Sequence, residues 1–98
     1  MFVLELTYTA PLERVDALMD AHRSWLAEHF ASRTFLAAGR KEPRDGGIIL
    51  AAGADRAAVE RLTATDPFVT GGVCRYHVTE FIATKTAPEL ADFRQESV

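Results

Sequence analysis

Cysteine, lysine and long apolar runs are what this chain is short of. Its one cysteine, Cys74, has no partner for an internal disulfide, which predicts a reducing, cytoplasmic setting. Lys41 and Lys85 are its two lysines against nine arginines. With abundant alanine, that is the usage of a GC-rich bacterial genome and says nothing about activity. The formal net charge is −3, with no basic cluster to neutralise a phosphate backbone, so nucleic acid is not an expected partner. No apolar run approaches the ~20 residues of a membrane span. The start, Met1 to Leu6, has no basic segment and meets Glu5 too soon for a signal peptide. His22, His29 and His77 show no HxH or HxxxH spacing, and His29 lies about 10 Å along the axis from His22, so no metal site is expected. No glycine-rich phosphate loop occurs either, and no cofactor is implied.

What is present is ordinary globular composition, 48% apolar and 26% charged over 98 residues, enough for one domain. A domain of this size buries roughly 60–65% of its unfolded surface, so its stability is thin and a second subunit would help. Phe2 to Thr9 alternates, with Phe2, Leu4, Leu6 and Tyr8 on one side, and reads as a strand. Pro11 opens a helix expected from about 12 to 31, whose stripe is Val15, Leu18, Met19, His22, Leu26 and Phe30. Residues 34–42 and 46–53 read as strands, joined by the turn Pro43-Arg44-Asp45-Gly46-Gly47, where glycine accepts positive φ. Asp55 caps a helix over 56–65 that must end by Asp66, because a residue before proline leaves the α region. Residues 72–83 form a last strand, and 85–98 are a short helix or a frayed tail after a domain of residues 1–84.

The order βαββαβ predicts an α+β ferredoxin-like fold, a four-stranded antiparallel sheet with two helices on one face. Val3, Ile49, Cys74 or Tyr76, Val78 and Ile82 fall on alternate sides of the strands, so both sheet faces read as partly apolar. Covering the free face predicts a homodimer, sheet against sheet.

Chemistry concentrates on two residues. His22 lies on the apolar stripe, and Asp66 is pinned before Pro67; across one small domain they can meet as a proton-transfer pair. His22 reads equally as a satisfied core histidine, and Asp66 as a helix stop or cap. The roles are compatible, since a carboxylate held by proline can orient the imidazole on its far nitrogen. Arg40 either binds a carboxylate or faces solvent. Trp25 and Phe68 are core rings or pocket walls, and Cys74, with no base beside it, reads as a small buried hydrophobe.

The segments His22-Arg23-Ser24-Trp25-Leu26, Phe35-Leu36-Ala37-Ala38-Gly39, Gly46-Gly47-Ile48-Ile49 and Asp66-Pro67-Phe68 with Gly71-Gly72-Val73 resemble the YciI-like (YCII-related) family over about residues 2 to 83. The resemblance implies a ferredoxin-like fold forming a dimeric α+β barrel. It also implies an active site built on a His-Asp pair, carried here by His22 and Asp66. A few such relatives remove chloride during aromatic-ring degradation, and muconolactone isomerases share the barrel. The chain departs from the pattern at Gly39-Arg40, where members often have Gly-Pro, and at Met19-Asp20-Ala21, where they often carry arginine. Those departures bear on substrate rather than fold. The expected function is therefore cofactor-independent proton transfer (isomerisation, elimination or lactone opening) on a small acidic or aromatic-derived metabolite. The alternative is a non-catalytic dimeric module that binds a small molecule or another protein. A haem-handling relative is disfavoured, because no second polar ligand accompanies His22.

Overall fold

A computed structural model describes residues 1–96 of the chain. Strand β1 (Phe2–Tyr8) buries Phe2, Leu4 and Leu6 and turns Val3, Glu5 and Thr7 the other way, as period-2 alternation requires. The sheet runs β2-β3-β1-β4, all antiparallel, with β2 at Phe35–Arg40, β3 at Gly46–Ala51 and β4 at Cys74–Glu80. Register places Leu4 opposite Ile49 and Val78, and Leu6 opposite Gly47 and Tyr76. On that face pack Val15 of α1 (Leu12–Ala17), Trp25 of α2 (Met19–Ala31), Val59 of α3 (Arg56–Thr63) and Phe68 of α4 (Pro67–Thr70). These four helices therefore cover one side of the sheet, the ferredoxin-like α+β arrangement. Full burial of a side chain such as Leu4 contributes about 1.5–3 kcal/mol.

Several expectations are corrected. The first helix is two helices, broken at Leu18 (φ −104°, ψ 3°), whose N–H bonds back to Val15 one residue short of the α pattern. Neither proline nor glycine causes the break. Leu18 is seated against Gly71, where an added Cβ would lie 2.3 Å from its Cδ1. The inward positions become Val15, His22 and Trp25, while Leu26 is half-buried and Phe30 exposed. The four-residue α4 follows Asp66 as a further helix. The last strand is shorter than expected and leaves Ile82 outside it.

The sheet faces also differ from the sequence reading. Ile49, Cys74, Tyr76 and Val78 all turn toward the helices, and the open face carries Val3, Ile48 and Leu50 beside Glu5, Thr7 and His77. Gly46 and Gly47 do not take positive φ; that conformation occurs at Gly53 and Gly72. Gly46 is required for a close approach instead, since a Cβ there would lie 1.8 Å from the Leu6 carbonyl oxygen.

After β4 the chain forms a 3₁₀ helix, Pro88–Phe93. Phe93 packs on Met1, Ala52 and Ala83. The Gln95 side-chain oxygen accepts from the Met1 ammonium (2.7 Å) and from the Ala83 N–H (3.0 Å).

Candidate functional site

Asp66 is extended (φ −60°, ψ 127°), as a residue before proline must be, and it caps α4 with Pro67 in the first turn. Its Oδ1 accepts the Phe68 N–H at 2.9 Å. The same oxygen lies 2.8 Å from His22 Nδ1, and Oδ2 accepts the Tyr76 hydroxyl at 2.6 Å. The side chain is completely buried. A carboxyl that accepts on both oxygens has the inventory of the ionised form, so Nδ1 is the nitrogen that donates. In the neutral imidazole that leaves the lone pair on the other nitrogen, Nε2. No described residue hydrogen-bonds Nε2, and it is not among the buried atoms lacking partners, so this is the accessible edge of the ring. The Phe68 ring lies nearly parallel to the imidazole, centroids 3.9 Å apart and planes 6° apart.

His22 and Phe68 face a cleft of about 690 Å³ between α2 and the strands β2 and β3. The cleft exists because side chains are missing from the sheet beneath it. The helix-facing rows there are Leu4–Ile49–Ala38 and Leu6–Gly47–Arg40, whereas the next row is filled by Phe35 over Ala51. Met19 and Leu26 form an apolar wall. Arg23, Arg40 and Arg44 supply cationic groups at the rim, opposed by Asp16 and Asp20. Arg44 is ion-paired with Asp16 and lies 5.9 Å over the Tyr8 ring. Arg40 makes only a solvent-exposed pair with Glu42 at 3.3 Å, weak enough to exchange for a ligand.

Burial, followed by the charge of Asp66, pushes the Cys74 thiol up to about 12, so it is protonated and unreactive at neutral pH. The Tyr76 phenol is pushed up by the same two causes and stays a donor.

The arrangement therefore brings His22, Asp66 and Phe68 together and sets Arg40 on the rim. Trp25 is not among the cleft-lining residues. It packs at 5.9 Å from the His22 ring, and its indole N–H donates to Thr65 Oγ1 at 2.9 Å. Sequence reasoning missed Tyr76, which alternation marks only as one more inward ring. It also missed the small residues Ala38 and Gly47 that open the cleft.

A family model for the YCII-related domain matches residues 1–82. The chain belongs to the YCII-related domain family. No curated protein matches this YCII-related chain in a sequence search. Among solved structures it is similar to the 5-chloro-2-hydroxyhydroquinone dehydrochlorinase of Burkholderia phenoliruptrix, determined in complex with 2,5-dihydroxybenzoquinone. The TM-score is 0.66 at 18% identity, covering 83% of this chain and 93% of that one, a likeness of fold.

Proposed function

We propose that this YCII-related domain is a cofactor-independent enzyme that moves a proton on a small, acidic, aromatic-derived metabolite. The observation that carries the reading is the polarity of His22: Nδ1 is held by a buried carboxylate, and Nε2 is left free at a cleft of ligand size. A base held in this way takes a proton from substrate carbon or oxygen at Nε2, and Asp66 stabilises the imidazolium that results. In an elimination the released electron pair forms the new double bond as the leaving group departs with its own pair. In an isomerisation the imidazolium returns the proton to a second carbon. Phe68 fixes the imidazole plane, the Ala38–Gly47 floor accepts a flat ring, and Arg40 pairs with an acidic substituent. The structural neighbour's dehydrochlorinase activity on a chlorinated hydroquinone supports that substrate class.

The proposal includes a homodimer through the open sheet face, where Ile48 is 37% exposed beside Val3 and Leu50, a cytoplasmic setting, given the buried, unpaired Cys74, and a bacterial source, given the heavy use of arginine and alanine over lysine.

The test is turnover of 5-chloro-2-hydroxyhydroquinone and of muconolactone by purified protein, read as chloride release and ultraviolet change. His22→Gln is expected to remove about 10²–10⁴ of any rate. Binding of such compounds without turnover would leave a small-molecule-binding module, and full activity in His22→Gln would remove His22 from the chemistry.

A further inference from the structure

We propose that Tyr76 is a positioning residue of this site: its hydroxyl fixes the Asp66 carboxylate and draws charge from it, which keeps His22 neutral and able to accept a proton at Nε2. The inference rests on the reading of His22 as the proton carrier.

The O–H to Oδ2 distance of 2.6 Å lies in the charge-assisted range for a hydroxyl on a carboxylate. No other described residue donates to Oδ2, so without Tyr76 a fully buried anion would hold one bare oxygen. The three members of the chain come from separate elements. His22 comes from α2, Asp66 from the start of α4, and Tyr76 from β4, where it is opposite Leu6 in the ladder. The Phe68 N–H on Oδ1 and the Tyr76 hydroxyl on Oδ2 together orient the carboxylate on which the imidazole depends. Chemically, a donor on Oδ2 competes with the imidazolium for the same negative charge. A carboxylate stripped of that donor would pull a proton onto the histidine more strongly, and a histidine already protonated is no base. Burial and the Asp66 charge hold the Tyr76 phenol protonated, so the donor persists at every pH at which the site works.

The experiment is histidine NMR titration of the ligand-free protein and its variants. The other titratable groups around His22 are Tyr8 of β1, Asp16 of α1, Asp20 and Arg23 of α2, Arg40 of β2, Arg44 of the following turn, and Cys74 of β4. All are common to the wild type, Asp66→Asn and Tyr76→Phe, and the fluorotyrosine protein is compared with unlabelled Tyr8→Phe, so differences isolate the two Asp66 oxygens. Asp66→Asn removes the charge and is expected to lower the His22 titration midpoint. Tyr76→Phe keeps the ring and is expected to raise it by about half a unit or more. The opposite signs are the signature, because a merely structural role for Tyr76 produces no upward shift. An unmoved or lowered midpoint in Tyr76→Phe, with the Asp66→Asn response intact, overturns the role of Tyr76 alone. No response to Asp66→Asn overturns the pair and the reading of function with it. Should Tyr76→Phe not fold, 3-fluorotyrosine incorporated into the Tyr8→Phe protein supplies a stronger donor at Tyr76. It is expected to lower the midpoint, and no change would again overturn the assignment.

Discussion

Asp66 accepts three hydrogen bonds on two oxygens, so its replacements separate charge from shape. Asparagine can keep Oδ1 facing Phe68 N–H and His22 Nδ1 while its amide donates to the Tyr76 oxygen. We expect Asp66→Asn to cost less than about 1.5 kcal/mol in urea titrations while removing most activity. Asp66→Ala leaves three donors without their acceptor and deletes the α4 cap, with an expected loss of about 2–5 kcal/mol. Equal stability of the two variants would show that the hydrogen bonds contribute nothing to the fold. Cys74 sets a pH limit of its own. Burial pushes the folded thiol up to about 12, above the ordinary cysteine range, so the folded state holds that proton more tightly. The stabilisation is complete below about pH 9 and is lost as pH rises toward 12. Urea midpoints should therefore fall between pH 9 and 11, and fall less steeply in Cys74→Ala. At this scale His22 and Asp66 were legible, because helical spacing turns one residue inward and proline fixes the other. Tyr76 was not, since an alternating strand gives a tyrosine no mark distinguishing a donor from a core ring.

Among the elements, β1 was readable from its clean alternation and β2 and β3 from the turn between them, and Asp55 does accept the Ala58 N–H as the cap of α3 at 2.8 Å. The break at Leu18 was not readable, because no proline or glycine marks it; there the chain meets Gly71, 53 residues later. Which side of the sheet β3 and β4 present was likewise hidden. Alternation gives two sides, and only the register with β1 says which side meets the helices. The Gly71 contact is itself a test. Its φ of −84° suits any residue, so the obstacle to a side chain is space alone. A Cβ there would fall 2.3 Å from Leu18 Cδ1 and 2.9 Å from the Pro67 carbonyl oxygen. Gly71→Ala is expected to cost about 1–3 kcal/mol by overpacking. It should also shift the His22 and Phe68 resonances, because α2 and α4 meet at that contact. A neutral effect on both would mean that the junction yields freely.

For the whole molecule, the fold followed from element order, whereas the partner copy rests on an open face that mixes Val3, Ile48 and Leu50 with Glu5 and Lys41, paired at 3.4 Å. We expect sedimentation at micromolar concentration to give twice the 10.8 kDa protomer mass, and Ile48→Lys to shift it toward the single mass. A wild-type protein that sediments as a compact protomer would defeat the dimer.

The chain has one tryptophan, and it lies beside the reactive pair, with its ring centroid 5.9 Å from that of His22 and the planes 28° apart. A protonated imidazole quenches a neighbouring indole, whereas a neutral one does so far less. The protein is thus expected to carry its own optical gauge: emission intensity should fall when the proton is on the ring and rise when it leaves, with no label attached. His29, 5.1 Å from the same indole, is the second contributor and is removed by His29→Gln. Stopped-flow fluorescence on that background would follow proton arrival and departure at the site within a single turnover.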